Sequence, residues 1–532
     1  MNRRSTRVAA VLSALVIGLL VAVPVGPARA ATYFPITGTG STWSQNALDQ
    51  WRSNVAKNYA MTVNYTGAGS TSGRRDFIEG TVDFAISEIP FQANPEDGSA
   101  PERPTRGYAY MPIVAGGTSF MYHLKISGKR VTNLRLSGET ITKIFTGAIT
   151  SWNDAAIQAD NPALAMPNKK IVPVIRSDGS GTSAQFTLWM SKQYPSLWKK
   201  GMTSQFPSFG NAKAQKGSDG VAGYVSQNYG EGAITYVEYS YAKKAGFPVA
   251  KMLNKSGYYI EPTAYSVAVA LMSAKINTNE GSDAYLTQIL DGVYNSGDRR
   301  AYPLSSYSYA IVPTEVAGIF NTNKGNTLGA FMRYVLCEGQ QQADTLGYSP
   351  LPMNLVMAGS DQIKRIPGAG NKGIDTGSCN NPTFKAGDSP SKNQLAAKAP
   401  YPAACDKKGT SQCTTGTAGA TESTDVTGTG TGGTATGTSS GTTSGTTSGT
   451  SSGAGTTSTG SDPVYDENGN LLTTGTGGST GGGAASSPFT LPDQGMGGAQ
   501  WLMVAAALLL VAAVVVPPLV SQRLKGGDGS AV

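Results

Sequence analysis

Histidine is almost absent from this sequence, since His123 is its only histidine in 532 residues. No group of histidines and cysteines has the spacing of a metal site, and no Gly-x-x-x-x-Gly-Lys-[Ser/Thr] run is present. A metallophosphatase and a nucleotide hydrolase would therefore both lack their reactive parts, and a serine nucleophile would lack a general base. We expect no enzymatic activity, no metal and no cofactor, and we predict that His123 is a packing residue.

Charged residues are also sparse. They make up 14% of the sequence, and the formal net charge of +8 is not gathered into a basic run in the body of the chain. A nucleic-acid-binding protein needs such a run or patch to neutralise backbone phosphates. We therefore expect no nucleic-acid partner.

Only four cysteines are present, and they lie in the C-terminal part of the body at Cys337, Cys379, Cys405 and Cys413. Cysteines of exported proteins commonly form disulfides, and two are expected here. Three pairings are possible, of which we expect Cys337 with Cys379 and Cys405 with Cys413. No cysteine lies immediately after the predicted signal segment, which excludes a lipid anchor at that place.

The N-terminal segment has the form of a secretory signal. Three arginines precede an apolar run over residues 8–23, and the small-residue triplet Ala28-Arg29-Ala30 follows it. We therefore predict a signal peptide at residues 1–30 and an exported mature protein.

A second apolar run, from Trp501 to Val520, lies near the other end of the sequence. As a helix with a rise of about 1.5 Å per residue, it would reach roughly 30 Å, the thickness of the hydrocarbon core of a bilayer. Arg523 and Lys525 follow it, and basic residues favour the cytoplasmic side. We predict a transmembrane helix over residues 501–520 that anchors the protein with its body outside the cell. The alternative, a buried core helix, is disfavoured because the preceding low-complexity residues offer no core to join.

Threonine, glycine and serine dominate residues 414–490. This composition buries too little apolar surface to offset the entropy of ordering, so we predict a linker. Leu491-Pro492-Asp493-Gln494-Gly495 has the layout of a sortase signal, but glutamine stands where that motif has threonine. We therefore prefer a membrane anchor, and attachment to the cell wall is the alternative.

The body, residues 31–404, is too long for one ordinary core and indicates two lobes. Strand and helix patterns alternate along it, which is typical of an α/β fold with parallel sheets between helices. Ligands of such folds bind beyond the carboxyl ends of the strands. The patterns predict strands at 61–65, 83–86 and 171–175, and helices at 73–79, 139–145, 182–193, 282–290 and 326–337.

Three loops before predicted helices share one composition, rich in glycine and hydroxyl side chains: Gly38–Trp43, Gly67–Gly73 and Arg176–Thr182. Glycine lets the backbone approach a ligand, hydroxyls donate hydrogen bonds, and the first amides of a helix are unpaired donors at the positive end of its dipole. One such loop alone is more often an ordinary helix cap. Three of them, together with the forked donor set of Arg176, indicate an oxyanion site.

From Thr37 to about Val356, the body resembles the phosphate-specific substrate-binding proteins of ABC transporters. Besides the three loops, of which Arg176–Thr182 is the most specific, the matching segments are Gly80–Phe84, Ile144–Asp154, Tyr236–Tyr239 and Gly347–Pro352. The resemblance implies a two-lobed α/β fold of the periplasmic-binding-protein type (type II), with a double-stranded hinge that closes around a dehydrated phosphate.

The resemblance also places the hinge and the lobes. With hinge passages at Tyr110–Gly117 and Tyr302–Ile311, residues 32–112 and 306–404 form lobe I, and residues 113–305 form lobe II. The loop that contains Arg176 then faces the other two loops across a cleft.

Matching residue by residue, the resemblance implies a set of anion-binding residues: Thr42, Trp43, Ser70, Glu88, Arg176, Ser180, Gly181 and Thr182, with Asp178 orienting Arg176. The family usually has phenylalanine at the position of Trp43. At the position of Glu88 it usually has an aspartate that accepts a hydrogen bond from a protonated phosphate oxygen. Such a carboxylate rejects sulfate, which has no proton to donate. Glu88 keeps this chemistry but adds a methylene group, which leaves the affinity and the identity of the anion open, as does the alternative that Glu88 is a surface residue.

The implied function is capture of inorganic phosphate outside the cell and its delivery to the ABC permease of a phosphate importer. A surface-anchored structural, adhesive or sensing protein with the same fold is the alternative from another class. A receptor for a different oxyanion is a further alternative.

Overall fold

The computed structural model of this chain describes residues 33–282 and 284–420 and the short segments 464–465 and 471–473. The predicted signal peptide at 1–30, most of the predicted linker at 414–490 and the predicted transmembrane helix at 501–520 lie outside the described residues. Within the described ranges, no helix combines the length and the apolar character needed to cross a bilayer.

Most strands are short, and the two long ones, Tyr108–Tyr122 and Ser305–Pro313, are buried along almost their whole length. The strands are Ile36–Gly40 (β1), Val63–Thr66 (β2), Phe84–Ser87 (β3), Tyr108–Tyr122 (β4), Lys125–Ile126 (β5), Lys129–Arg130 (β6), Arg135–Leu136 (β7), Val172–Arg176 (β8), Lys213–Gln215 (β9), Ala233–Glu238 (β10), Lys251–Leu253 (β11), Tyr259–Ile260 (β12), Lys275–Ile276 (β13), Gln288–Ile289 (β14), Ser305–Pro313 (β15), Val464–Tyr465 (β16) and Leu471–Thr473 (β17).

Several helices begin where the sequence supplies a capping side chain or glycine. Ser180, for example, accepts a hydrogen bond from the Ser183 N–H at 3.1 Å and so caps the helix that follows it. The α-helices are Gln45–Tyr59 (α1), Ser70–Glu79 (α2), Gly138–Phe145 (α3), Ala155–Asp160 (α4), Gly181–Gln193 (α5), Gly217–Ser226 (α6), Tyr239–Ala245 (α7), Ala264–Leu271 (α8), Asp291–Tyr294 (α9), Thr322–Leu336 (α10), Ala343–Leu346 (α11), Met353–Arg365 (α12) and Gln394–Lys398 (α13).

The largest sheet is mixed and has the strand order β2-β1-β3-β15-β4-β10-β8-β9. At one end β1 pairs in parallel with β2 and β3, and at the other end β8 pairs in parallel with β9 and β10. Between these groups, β15 and β4 pair with each other and with their neighbours in antiparallel fashion. The predicted parallel sheets are therefore two parallel groups joined through two antiparallel strands.

The two largest hydrophobic cores of the described residues lie at the two ends of this sheet, and a smaller third cluster includes Val174 and Val237. The first contains Trp51, Phe84 and Phe331, and the second contains Trp152 and Phe186. The chain passes between them along β4, which supplies buried side chains to both cores. The predicted two-lobed α/β architecture is therefore confirmed, and we keep the names lobe I and lobe II for the parts around the first and the second core.

Most predicted elements are present within a few residues of their predicted bounds, but the predicted helix at 282–290 is wrong. Leu286 there has a positive φ of 66°, and Gln288 lies in the short strand β14. The side chain of Gln288 pairs with the backbone of Tyr307, donating to its carbonyl at 2.9 Å and accepting its N–H at 2.9 Å. Pairing with a distant strand has overridden the local helical pattern.

The C-terminal part of the body leaves lobe I and packs on lobe II. Phe384 still belongs to the first core, whereas Leu395 on α13 belongs to the second. The Thr417 hydroxyl donates to the Val249 carbonyl at 2.7 Å. Residues 394–404 therefore pack with lobe II, which corrects their assignment to lobe I. Thr417 and Ala418, which fall within the predicted linker, are also buried against lobe II. Such short segments carry too few apolar residues for a sequence pattern to tell which core receives them.

Both expected disulfides are present. Cys337 is bonded to Cys379, and Cys405 is bonded to Cys413. The first joins the end of α10 to the segment that leaves lobe I, and the second closes a short loop next to lobe II.

His123 is buried, as its predicted packing role requires. Its ring meets the ring of Phe247 edge to face at 5.2 Å, and its Nδ1 lies 3.1 Å from the Val225 carbonyl. Burial lowers the pKa of His123 below its ordinary value, so the neutral form is favoured.

Candidate functional site

Four loops, each following a strand of a parallel group, lead into helices at the cleft between the lobes. In lobe I the loops after β1 and β2 lead into α1 and α2, and in lobe II the loops after β8 and β9 lead into α5 and α6. The carboxyl ends of parallel strands lie at one edge of a sheet, so the loops that follow them converge there. Three of these four loops are the ones that the sequence predicted as anion loops. The fourth, the loop before α6, was not among them.

Direct hydrogen bonds join these loops across the cleft. The Ser70 hydroxyl, at the start of α2, accepts the Gly181 N–H at the start of α5 at 3.1 Å. The Thr42 hydroxyl lies 2.9 Å from the Ser218 hydroxyl and accepts the Ser218 N–H at 3.1 Å. The structure therefore brings three predicted residues, Thr42, Ser70 and Gly181, into one buried polar cluster.

The guanidinium of Arg176 lies in the same cluster and is held by Asp178. Its Nε donates to Asp178 Oδ1 at 2.7 Å, one terminal nitrogen donates to Asp178 Oδ2, and the other lies 3.4 Å from the Ser218 hydroxyl. Burial by itself raises the pKa of Asp178, but the hydrogen bonds and charge of Arg176 and the Gly217 N–H hold that pKa below its ordinary value. The pair is therefore ionised, and its bidentate geometry fixes the orientation of the guanidinium.

Glu88 is fully buried, which rules out the alternative of a surface residue. Its Oε2 accepts a hydrogen bond from the Ser70 hydroxyl at 2.8 Å, and its Oε1 accepts one from the Ser308 hydroxyl at 2.7 Å. The main-chain carbonyl of Glu88 accepts the side-chain amide of Gln185, on α5 of lobe II, at 2.7 Å. An acid of lobe I is thus fixed by donors from both sides of the cleft.

The first residues of α5 supply further polar groups to the cluster. Ser180 is buried as the helix cap, with its hydroxyl occupied by the Ser183 N–H. The Thr182 hydroxyl is buried and has no hydrogen-bond partner among the described residues. A buried hydroxyl without a partner is costly, so Thr182 holds a hydrogen-bonding group that the cluster leaves unused.

Trp43 takes a different place from the other predicted site residues. Its side chain is buried in the first core, edge to face with Tyr348 at 5.7 Å between ring centroids. Its N–H donates to the Ser41 hydroxyl at 2.9 Å, and its carbonyl accepts the Tyr348 hydroxyl at 2.7 Å. The structure therefore does not bring the Trp43 side chain to the cluster. Trp43 instead fixes the backbone of the first loop through its packing in the core and its main-chain hydrogen bonds.

Ser218, Ser308 and Gln185 were not predicted. Ser218 lies in the run Lys216-Gly217-Ser218-Asp219-Gly220, whose glycines and hydroxyl before a helix are the same signal as in the other three loops. Ser308 and Gln185 have no such signal, because they reach Glu88 through strand pairing and through the contact between the lobes.

We expect the Gly181→Ala variant to be less stable than the native protein. A Cβ atom at this position would lie 2.0 Å from Glu88 Oε2 and 2.6 Å from the Ser70 hydroxyl oxygen. Overpacking of a buried site costs about 1–3 kcal/mol, and the clash acts between the lobes. Chemical denaturation of the full-length variant should show a loss of that size.

Gly223→Ala is the matched control for this prediction. Gly223 lies inside α6, and a Cβ atom there would have no neighbour within 4 Å. Alanine is favoured over glycine inside a helix, so the free energy of unfolding should stay unchanged or increase by up to about 1 kcal/mol. Equal losses in the two variants would contradict the close contact between Gly181 and Glu88.

Comparison with known proteins adds a family relationship. A family model described as "PBP superfamily domain" matches residues 25–338, which is more than half of the chain. The phosphate-binding protein PstS of Xylella fastidiosa (strain Temecula1) is 31% identical over 325 residues, which cover 60% of this chain and 82% of that protein. The phosphate-binding protein PstS 3 of Mycobacterium leprae is 31% identical over 320 residues, 60% of this chain and 83% of that protein.

Solved structures show a weaker similarity. The crystal structure of a phosphate-binding protein from Stenotrophomonas maltophilia has a TM-score of 0.45 and 17% sequence identity, over 66% of this chain and 98% of that chain.

Proposed function

We propose a function for this chain from its family, since it belongs to the PBP superfamily and within it to the PstS phosphate-binding proteins. We propose that it is an exported receptor, which captures inorganic phosphate and delivers it to an ABC-type phosphate importer. The family consists of substrate-binding transport receptors rather than enzymes. The alternative of a structural or adhesive protein with the same fold would not require a polar cluster of this kind, whereas a sensing protein would.

One observation carries the proposal. The buried Arg176 is paired with Asp178 and lies 3.4 Å from the Ser218 hydroxyl, which in turn contacts the Thr42 hydroxyl of lobe I at 2.9 Å. A guanidinium in such surroundings favours an anion, because the helix starts and hydroxyls add hydrogen-bond donors to its positive charge. The direct cross-lobe hydrogen bonds support a site that is complete only when the lobes meet.

We infer the following roles for the predicted site residues. Arg176 supplies the countercharge and Asp178 keeps it oriented. The hydroxyls of Thr42, Ser70 and Thr182 and the N–H groups at the start of α5, Gly181 among them, donate hydrogen bonds to the phosphate oxygens. The Ser70 hydroxyl and the Gly181 N–H, which donate to Glu88 and to Ser70 in this structure, turn to the anion when it binds. Ser180 caps α5 and so holds these N–H groups in place, and Trp43 acts through the backbone of the first loop.

Glu88 has the opposite role, because an ionised carboxylate only accepts hydrogen bonds. Phosphate keeps a proton near neutral pH that it can donate to Glu88, whereas sulfate would place two negative groups against each other. The two lobes then close around the bound anion. Binding is thereby coupled to a rotation of one lobe relative to the other, with β4 and β15 as the hinge.

We further propose the topology of the protein at the membrane. Residues 1–30 direct export, residues from about 421 to 490 form a linker, and residues 501–520 span the membrane, so that the binding domain lies outside the cell. The supporting observations are the arginine-led apolar N-terminal segment and the apolar run followed by Arg523 and Lys525. Attachment to the cell wall remains the alternative.

Thermal unfolding of the full-length protein tests the proposed function. We expect phosphate to raise the unfolding temperature, because at a hundred times the dissociation constant a ligand adds about 2.7 kcal/mol to the stability of the native state. Sulfate at the same concentration should have little effect. A shift with sulfate alone would indicate another oxyanion, and no shift with any oxyanion would favour the structural alternative.

A further inference from the structure

Ser308 contacts Glu88 from an element that is not part of any anion loop. It lies on β15, one of the two strands that run between the lobes, and its hydroxyl donates to Glu88 Oε1 at 2.7 Å. Both Ser308 and Glu88 are fully buried. The two oxygens of the Glu88 carboxylate are therefore held from two directions, by Ser70 on α2 and by Ser308 on β15.

Strand pairing explains why Ser308 meets this carboxylate. β15 runs antiparallel to β3 with Tyr309 opposite Ser87, so Ser308 lies beside the next residue, Glu88. The register of β15 against β4 shifts at the same point, since Ser308 is opposite Val114 and Tyr309 is opposite Pro112. Proline has no N–H to donate and is compatible with a strand at such an irregularity. The register shift between β15 and β4 therefore lies at Ser308, the residue that contacts the Glu88 carboxylate.

The main chain of Glu88 is fixed independently of its carboxylate. Its carbonyl accepts the side-chain amides of Gln185 at 2.7 Å and Gln288 at 3.2 Å. A glutamate side chain nevertheless has one more rotatable bond than an aspartate, and a rotating carboxylate could not present a defined acceptor. The hydrogen bond from Ser308 removes this freedom at Oε1 and leaves Oε2 on the side of Ser70 and Gly181.

We propose that Ser308 is a positioning residue for anion selectivity, which orients the Glu88 carboxylate so that it accepts the proton of phosphate and excludes sulfate. The proposal rests on the proposed function, since it concerns the anion bound there. Ser308 acts through Glu88 and is not itself an anion-binding residue. Ser308 lies on β15, which runs between the lobes. The orientation of the Glu88 carboxylate therefore depends on how the two lobes are arranged.

The test measures the dissociation constants of phosphate and sulfate by competition calorimetry on the full-length protein. In the Ser308→Ala variant, the preference for phosphate over sulfate should fall about tenfold, the order of effect of one hydrogen bond to a charged group. Ser308→Thr keeps a hydroxyl and should restore most of the preference. Ser306→Ala is the matched control, because Ser306 is two residues away on the same strand, buried, and its hydroxyl has no partner among the described residues.

A double variant separates positioning from a general effect on stability. In a Glu88→Gln background, adding Ser308→Ala should change the phosphate-to-sulfate ratio less than twofold, because Ser308 acts only through the acid. An unchanged ratio in the single Ser308→Ala variant, or equal effects in both backgrounds, would overturn the proposal. If the native protein bound no phosphate, the proposed function and this proposal would both be rejected. Phosphate binding with an unaltered Ser308→Ala ratio would reject this proposal alone.

Discussion

Replacing Arg176 by alanine is expected to weaken phosphate binding by roughly a hundredfold to several thousandfold. The guanidinium is buried in the cleft, so a bound anion would lose its countercharge in a place where water cannot replace it. Removing one partner of a buried charge pair costs about 3–5 kcal/mol, which corresponds to that range of affinities. Titration calorimetry of the full-length variant with phosphate measures the loss.

Two further variants separate loss of binding from loss of stability. Arg176→Ala leaves Asp178 buried without its partner, whereas a double variant that adds Asp178→Asn removes this charge and should recover stability without recovering affinity. Arg75→Ala is the matched control, because Arg75 is an exposed arginine on α2 and its loss should leave the affinity unchanged. Near-native affinity of the Arg176→Ala variant would show that the anion binds elsewhere.

Replacing Glu88 by glutamine should admit sulfate, and we expect the preference for phosphate to fall by about a hundredfold or more. The amide keeps one acceptor oxygen, loses the negative charge and gains two donors, so a fully ionised oxyanion no longer faces a carboxylate. Sites that require one hydrogen-bonding group discriminate strongly against ligands that lack it. The ratio of the phosphate and sulfate dissociation constants at neutral pH checks this expectation.

Glu88→Asp and Glu79→Gln serve as comparisons for this variant. Glu88→Asp keeps the carboxylate and should retain the preference for phosphate, although the contact with Ser308 becomes longer. Glu79→Gln removes an exposed carboxylate at the end of α2 and should change neither dissociation constant. If Glu88→Gln excluded sulfate as well as the native protein does, selectivity would have to come from another group.

Local patterns predicted most elements around the site because the signals there are local. The capping serine of α5 and the glycines before α2 define helix starts from neighbouring residues alone, and the helices begin within a few residues of their predicted positions. The predicted helix at 282–290 was wrong because Gln288 pairs with Tyr307, a contact that no local pattern contains. Residues 394–404 were assigned to lobe I for the same reason, since a short helix such as α13 can pack on either core.

The residues of the candidate site also fall into those that local sequence patterns could predict and those that they could not. Arg176 and Asp178 are two residues apart in the chain, so their ion pair could be predicted, and the structure places them in direct contact. Ser218 could have been found from its glycine-rich helix start. Ser308 could not, because it meets Glu88 only through the register of β15 against β3.

The sequence by itself determined the alternation of strands and helices, the glycine and hydroxyl loops before helices, and the acid and the arginine available for anion chemistry. These properties depend on residues close together in the chain, where composition and spacing act directly. The tertiary structure alone decided that Trp43 packs in the core, that the C-terminal segment packs on lobe II, and that Glu88 is held by Ser70 and Ser308. Those contacts join residues up to hundreds of positions apart, and they form only when the burial of two cores fixes the register of the strands between them.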